Sequence, residues 1–168
     1  MEILVDTLLF ELLPSYTEVG KERRARQKDK FLCFDMGVRN SLLGRRKLEH
    51  FSREELGSLF EQWMILQILY YNRLHKKGWR ISTYRDAFGV EVDLVIETGG
   101  GGCVAVEIQS STRADEKMFK GLRRFEQLAE RKVHRYLVYQ GEFDQRFEGL
   151  GTAVPYQNFL QSVIPALD

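Results

Sequence analysis

Four residues carry chemistry by their type and spacing: Glu61, Asp93, Glu107 and Gln109. Asp93 lies in VEVDLVIE (90–97) and Glu107 in VAVEIQ (104–109), two alternating runs joined across the glycines at 99–102. Side chains on a strand alternate faces, so Glu91, Asp93 and Val95 share one face, as do Ala105, Glu107 and Gln109 on the second run. A hairpin turning symmetrically about Gly100 pairs residues whose numbers sum to 200, which sets Asp93 opposite Glu107. Directly opposed residues have Cβ atoms roughly 4.5–5.5 Å apart, and like charges there are destabilising. A shared proton, a bound cation, or water on the wet face of the hairpin would each compensate, and a one-residue slip in register would separate the pair. Two carboxylates without a histidine or thiolate beside them make a hard oxygen site, suited to Mg²⁺ or Mn²⁺.

Glu61 sits in LFEQWMILQIL (59–69), where steps of three and four place Glu61, Ile65, Ile68, Asn72 and His75 along one helical face. A carboxylate at the head of a stripe that turns apolar is costly to bury alone. It either reaches water at the edge of the stripe or meets a partner, and a helix laid over the hairpin would bring it toward Asp93 and Glu107.

The elements that must position these residues follow from local signals. Ser52 to Glu55 is S-x-x-E, a capping box, and opens a helix running to about Lys77, stopped by Gly78. Its apolar residues, from Leu56 through Phe60, Trp63, Met64, Ile65, Ile68 and Leu69 to Leu74, cover more than one stripe and predict burial on more than one side. Trp79–Tyr84 reads as a strand, a turn at 86–89 follows, and the hairpin comes next. Residues 117–131 form an amphipathic helix with Met118, Leu122, Phe125 and Leu128 inward. HRYLVYQG (134–141) is a further strand and 155–163 a closing helix. Upstream, FLCF (31–34) is a short strand, and Asp35 caps a helix through Leu43 closed by Gly44. The apolar residues 1–16 suggest a helix turn leading into a strand, and KERRARQKDK (21–30) reads as a solvated loop or a phosphate-contacting arm. The order helix, three strands, helix, strand indicates an α/β layer fold with a mixed sheet.

The bulk numbers bound the function class. With 168 residues, 43% of them hydrophobic, the chain supports one globular core. Twenty-five basic and 24 acidic residues nearly cancel, so partners must be argued from local clusters. The two cysteines, Cys33 and Cys103, belong to no metal-binding pattern and fit a reduced compartment. No apolar run spans a bilayer and the start carries acids where a signal peptide needs bases, so the expectation is a cytoplasmic protein with no membrane partner. The glycine run has no Lys-Ser/Thr after it and precedes a strand, which argues against a P-loop.

FEQW (60–63), YRDAFGVEVDLVIE (84–97) and VAVEIQSS (104–111), with FLCFDMGVRNSLLG (31–44) upstream, resemble the nuclease-like domain of unknown function found at the C-terminus of many prokaryotic AAA-type ATPases. That domain belongs to the PD-(D/E)XK phosphodiesterase superfamily. The resemblance implies a restriction-endonuclease-like core of order αβββαβ, a central mixed sheet flanked by helices, in residues 51–168. Residues 1–50 would be an apolar segment linking to, or left from, an upstream ATPase or winged-helix module. It further implies that Glu61, Asp93 and Glu107 bind Mg²⁺ or Mn²⁺ and hydrolyse a phosphodiester, with DNA as substrate and an AAA-type ATPase as partner. The chain departs from the family pattern at position 109, where a lysine is usual and Gln109 stands; losing one well-placed donor to a transition-state oxyanion costs on the order of 10²–10³ in rate. Two readings stay open: a nuclease using Gln109, helped by a cation from elsewhere such as Lys117 or Arg85, or a non-catalytic DNA-binding or protein-interaction module attached to an ATPase. In either, Lys117, Lys120, Arg123, Arg124, Arg131 and Lys132 are available to phosphates. The apolar start suggests self-association as a further possibility.

Overall fold

A computed structural model describes residues 9–17, 29–45, 47–129 and 131–168. The expectations for residues 1–8 and for most of the basic run, 21–28, lie outside the described residues.

The longest helix, α2 (Arg53–Leu74), begins at the capping box: Ser52 Oγ accepts from Glu55 N (3.2 Å) and Glu55 Oε2 accepts from Ser52 N (2.9 Å). These contacts satisfy two backbone donors that a helix start leaves open. The chain leaves the helix through Lys76 and Gly78, both at positive φ. Met64, Ile65, Leu66 and Ile68 are buried, and Phe60 and Trp63 pack edge-on against Tyr156, so two sides of the helix are indeed covered. Leu56 and Leu74, expected inward, are exposed at the helix ends. Upstream, α1 (Met36–Leu42) is capped by Asp35, whose Oδ1 accepts from Val38 N at 2.7 Å.

The main sheet has six strands in the order β3-β4-β5-β6-β8-β7. β3 (Arg80–Arg85), β4 (Glu91–Glu97) and β5 (Cys103–Gln109) form an antiparallel meander. β6 (His134–Tyr139) runs parallel to β5, and β8 (Gly151–Pro155) parallel to β6, with β7 (Gln145–Phe147) antiparallel at the edge. Strands β7 and β8 were not expected from the sequence. GTAVP is short and mostly small, and its pairing depends on Gly151, whose Cβ would lie 2.5 Å from Arg135 O. The closing helix starts one residue late, at Tyr156, and after one α turn (α4, Tyr156–Asn158) widens to a π turn through Val163.

Two apolar layers enclose the sheet. On one face α2 covers Leu94, Ile96, Val104, Val106 and Ile108. On the other, α3 (Lys120–Ala129), entered by a 3₁₀ turn at Glu116–Phe119, covers Val92, Val95 and Ala105. Within this layer Phe119, Leu122 and Phe125 are fully buried, whereas Leu128 is exposed and Met118 only partly covered. The 3₁₀ entry rotates the helix relative to an α-helix begun at 117, which turns Phe119 inward in their place.

A separate antiparallel pair, β1 (Phe10–Leu13) and β2 (Lys30–Cys33), packs on α2. Gln62 Nε2 donates to Cys33 O (3.0 Å), Tyr70 Oη to Phe34 O (2.9 Å), and Arg73 pairs with Glu11. Leu13 and Leu32 enter the α2-side core. Just past β1, Thr83 N donates to Pro14 O (2.9 Å) and Tyr16 N to Thr83 O (2.7 Å), tying the segment to the free edge of β3. Among the described residues no helix is long and apolar enough to cross a membrane, and both cysteines are buried and unpaired.

Candidate functional site

The β4–β5 register runs Leu94↔Val106, Val95↔Ala105, Ile96↔Val104 and Glu97↔Cys103, each pair summing to 200 as a turn centred on Gly100 requires. The ladder stops there. The next positions are Asp93 and Glu107, and the Asp93 side chain takes over the backbone's role: its Oδ2 accepts from Ile108 N at 2.8 Å.

A bulge explains how Asp93 comes to lie toward β5. Two steps along β3, Ser82 to Tyr84, answer three along β4, Val95 to Val92, so Asp93 and Leu94 together face Thr83. The simple alternation expected for this strand therefore fails at Asp93: Val92 and Val95, three apart, both pack in the α3-side layer. An extra residue in one strand re-aims the side chains around it. Thr83 is held from both sides, by Pro14 and Tyr16 on its outer edge and by its own Oγ1 donating to Val92 O (3.2 Å).

Glu107 keeps the face of Ala105 and meets the start of α3. A Cβ built on Gly121 would lie 2.1 Å from Glu91 O and 3.7 Å from Glu107 Oε2, so glycine is what lets this helix close on the two strands. Gln109 Nε2 donates to Glu107 Oε1 (3.1 Å); the amide orients the carboxylate. Gly57, one turn before Glu61, performs the same service on the other side, its Cβ direction pointing at Ser110 Oγ, 3.1 Å away.

Glu61 joins the group with a partner the sequence did not suggest. Its Oε1 pairs with Lys30 Nζ, brought in by β2. The basic run 21–30 thus contributes its last residue to the acid cluster. Of the other cations considered, Arg85 pairs with Glu91 (2.9 Å), and Arg124 Nε lies 3.7 Å from Asp86. Arg131 turns inward to Glu97, which also binds Arg80, so it is removed from any phosphate-facing set.

The electrostatics mark the cluster. Burial pushes the Asp93 carboxyl well above the usual carboxylate range; Glu107 and then Glu61 push the same way, while the Ile108 amide and Lys30 oppose them. Burial likewise lifts Glu107 to about 7, against the hydrogen bond from Gln109 and the charge of Lys30, and with Glu61 and Glu91 adding to the rise. The charge of Glu61 thus reaches both Asp93 and Glu107, and that of Glu107 reaches Asp93. Among the described residues no three acidic, histidine or cysteine side chains stand close enough to form a ready metal cage. Asp93 and Glu107 are donors of the kind an oxygen-seeking cation takes, since Mg²⁺ is commonly held by one or two carboxylates with water completing its shell. Glu61 stands by, engaged with Lys30.

The fold and site define a mixed α/β domain built around an acid cluster at the open end of a hairpin. Residues 56–159, more than half of the chain, match the family model described as "Domain of unknown function (DUF4143)", and the chain belongs to that family. The matched span runs from the first turn of α2 to the π turn and contains Glu61, Asp93, Glu107 and Gln109, while Lys30 lies outside it. No curated protein and no solved structure matches the chain.

Proposed function

We propose that the chain is a divalent-metal-dependent phosphodiesterase of nuclease type, with Asp93 and Glu107 as the metal-holding pair, Glu61 as a third acid and Gln109 orienting Glu107. The observation that carries this reading is the adjacency of Asp93 and Glu107 at the end of the β4–β5 ladder, where each holds its proton far more tightly than a free carboxyl. Fixed acids in such a state gain most from a cation, because a cation removes both the desolvation cost and the mutual repulsion. Mg²⁺ or Mn²⁺ bound there supplies charge neutralisation at the phosphate and a more acidic water. DNA is the polymer to test first, on the resemblance alone, and the association with an AAA-type ATPase belongs to the same proposal.

Titration calorimetry with Mn²⁺ tests the metal claim: we expect binding at millimolar affinity or better in wild type and none in Asp93→Ala. Incubation of plasmid and single-stranded DNA with Mn²⁺ tests the activity, which should vanish in Glu107→Ala. Equal Mn²⁺ binding by wild type and Asp93→Ala would remove the reading. One observation favours a second reading, a non-catalytic DNA-binding or protein-interaction module: Glu61 and Glu107 are already engaged from within, by the Lys30 ammonium and by the Gln109 amide. Metal binding without cleavage of either DNA would select it.

A further inference from the structure

We propose that Lys30 is the cationic group of this site, contacting the scissile phosphate and stabilising the negative charge that develops on it. The inference rests on the nuclease reading above and adds a residue that neither the family match nor the acid motifs include.

Three features carry it. The first is placement. Lys30 shares the inward face of β2 with Leu32, which is buried, and is paired across the hairpin with Leu13, also buried. One residue on, Pro14 bonds to Thr83, the residue that faces the Asp93 bulge. The hairpin is therefore anchored to the strand edge that shapes the site, and Lys30 is delivered by that anchor. The second is reach. Lys30 Nζ contacts Glu61 Oε1, and its charge acts on both Asp93 and Glu107; among the described residues it is the one positive side chain among the charges that chiefly act on those two acids. The third is access. The Lys30 side chain is 37% exposed and Glu61 21%, which puts the ion pair at the mouth of the cluster, where an arriving phosphate would meet it.

The chemistry needs such a group. Three carboxylates carry one negative charge more than a divalent cation neutralises, so an approaching phosphodiester anion is still repelled unless a further positive group is there, and position 109, held to Glu107 as a neutral amide, supplies none. An ammonium has three donors, so Lys30 can keep Glu61 and still offer a hydrogen to a phosphate oxygen. It acts as a fixed charge, forms no covalent bond and transfers no proton.

The test compares wild type, Lys30→Gln, Lys30→Met, Gln109→Lys and the double variant Lys30→Gln/Gln109→Lys, each as the full chain. Mn²⁺ affinity is read by calorimetry, folding by thermal melting, and kcat and KM on a Mn²⁺-dependent DNA cleavage assay. We expect Lys30→Gln to lower kcat on the order of 10²–10³-fold with Mn²⁺ affinity unchanged or tighter. The double variant should recover at least tenfold over Lys30→Gln. Lys30→Gln retains a hydrogen bond to Glu61 and provides the reading should Lys30→Met melt too low. Active wild type with undiminished kcat in Lys30→Gln would reduce Lys30 to a structural ion pair and leave the nuclease reading standing. Silent wild type with active Gln109→Lys would likewise overturn the role of Lys30 while the scaffold reading survives. Silence in every variant would overturn both.

Discussion

Glu107→Gln should make the protein more stable at alkaline pH and not at acid pH. The folded protein holds the Glu107 proton up to about 7, whereas an unconstrained glutamate releases it near 4.5. Between those values the folded chain binds more protons than the unfolded one, so stability falls as pH rises through the window and the loss is complete above 7. At about 1.36 kcal/mol per pH unit the full loss is on the order of 3 kcal/mol. Removing the Glu107 charge also lets Asp93 ionise more readily in the variant, which acts in the same direction. Below pH 4.5 both proteins are neutral at 107 and their stabilities should lie close together. Urea unfolding from pH 4 to 9 in chelator reads the difference, which should open to about 2–3 kcal/mol by pH 8, or roughly 4–12 °C in melting temperature for a chain of this size. Mn²⁺ should then close the gap: at a hundred times its Kd a cation stabilises the native state by about 2.7 kcal/mol, and Glu107→Gln loses that gain. A stability difference that stays flat from pH 4 to 9, or a variant less stable than wild type at pH 8, would refute the account of the cluster.

Three further outcomes follow from the packing. Gly121→Ala should cost about 2–3 kcal/mol in urea unfolding, since its Cβ would stand 2.1 Å from Glu91 O and α3 would have to lift off β4. Glu97→Ala removes the partner of both Arg80 and Arg131 at a buried carboxylate; allowing for the partial exposure of Arg80, the loss is about 2–3 kcal/mol, and an unchanged melting temperature would show the pair to be dispensable. Ser52→Ala deletes the cap on α2 and should cost about 1 kcal/mol, read as a lower urea midpoint with an unchanged slope.

How much of this was legible depended on how local the cause was. The caps at Asp35 and Ser52 and the stop at Gly44 are written in a few adjacent residues, and the chain obeys them, whereas the long helix ends at Leu74, short of the stop read at Gly78. The hairpin register was legible from a turn centred on the glycine run: it set Leu94 against Val106 and left Asp93 and Glu107 as the next positions. The bulge was not legible: VEVDLVIE alternates regularly, and the extra residue exists only relative to Thr83 on another strand. Strand β8 escaped because it is short and its residues are mostly small. Lys30 was hidden inside a charge run that reads as solvated surface. The signal that could have found it was parity: Lys30 lies two residues before Leu32 on a strand, so a strand that buries Leu32 turns Lys30 inward, where a carboxylate is the natural partner.

The bulge in β4 makes the site a matter of counting as much as of composition. Asp93 owes its aim to one supernumerary residue between Val92 and Val95, braced by a segment that arrives some seventy positions earlier in the chain. A lineage that lost that single residue would keep every acid and still disperse the cluster, since the shortened strand would pair straight through and swing its aspartate back into plain alternation. Transplanting the hairpin alone would meet the same fate, because the brace on Thr83 would stay behind. What is heritable here is a spacing held between two distant stretches, and single-letter comparison of the acids would not register its loss.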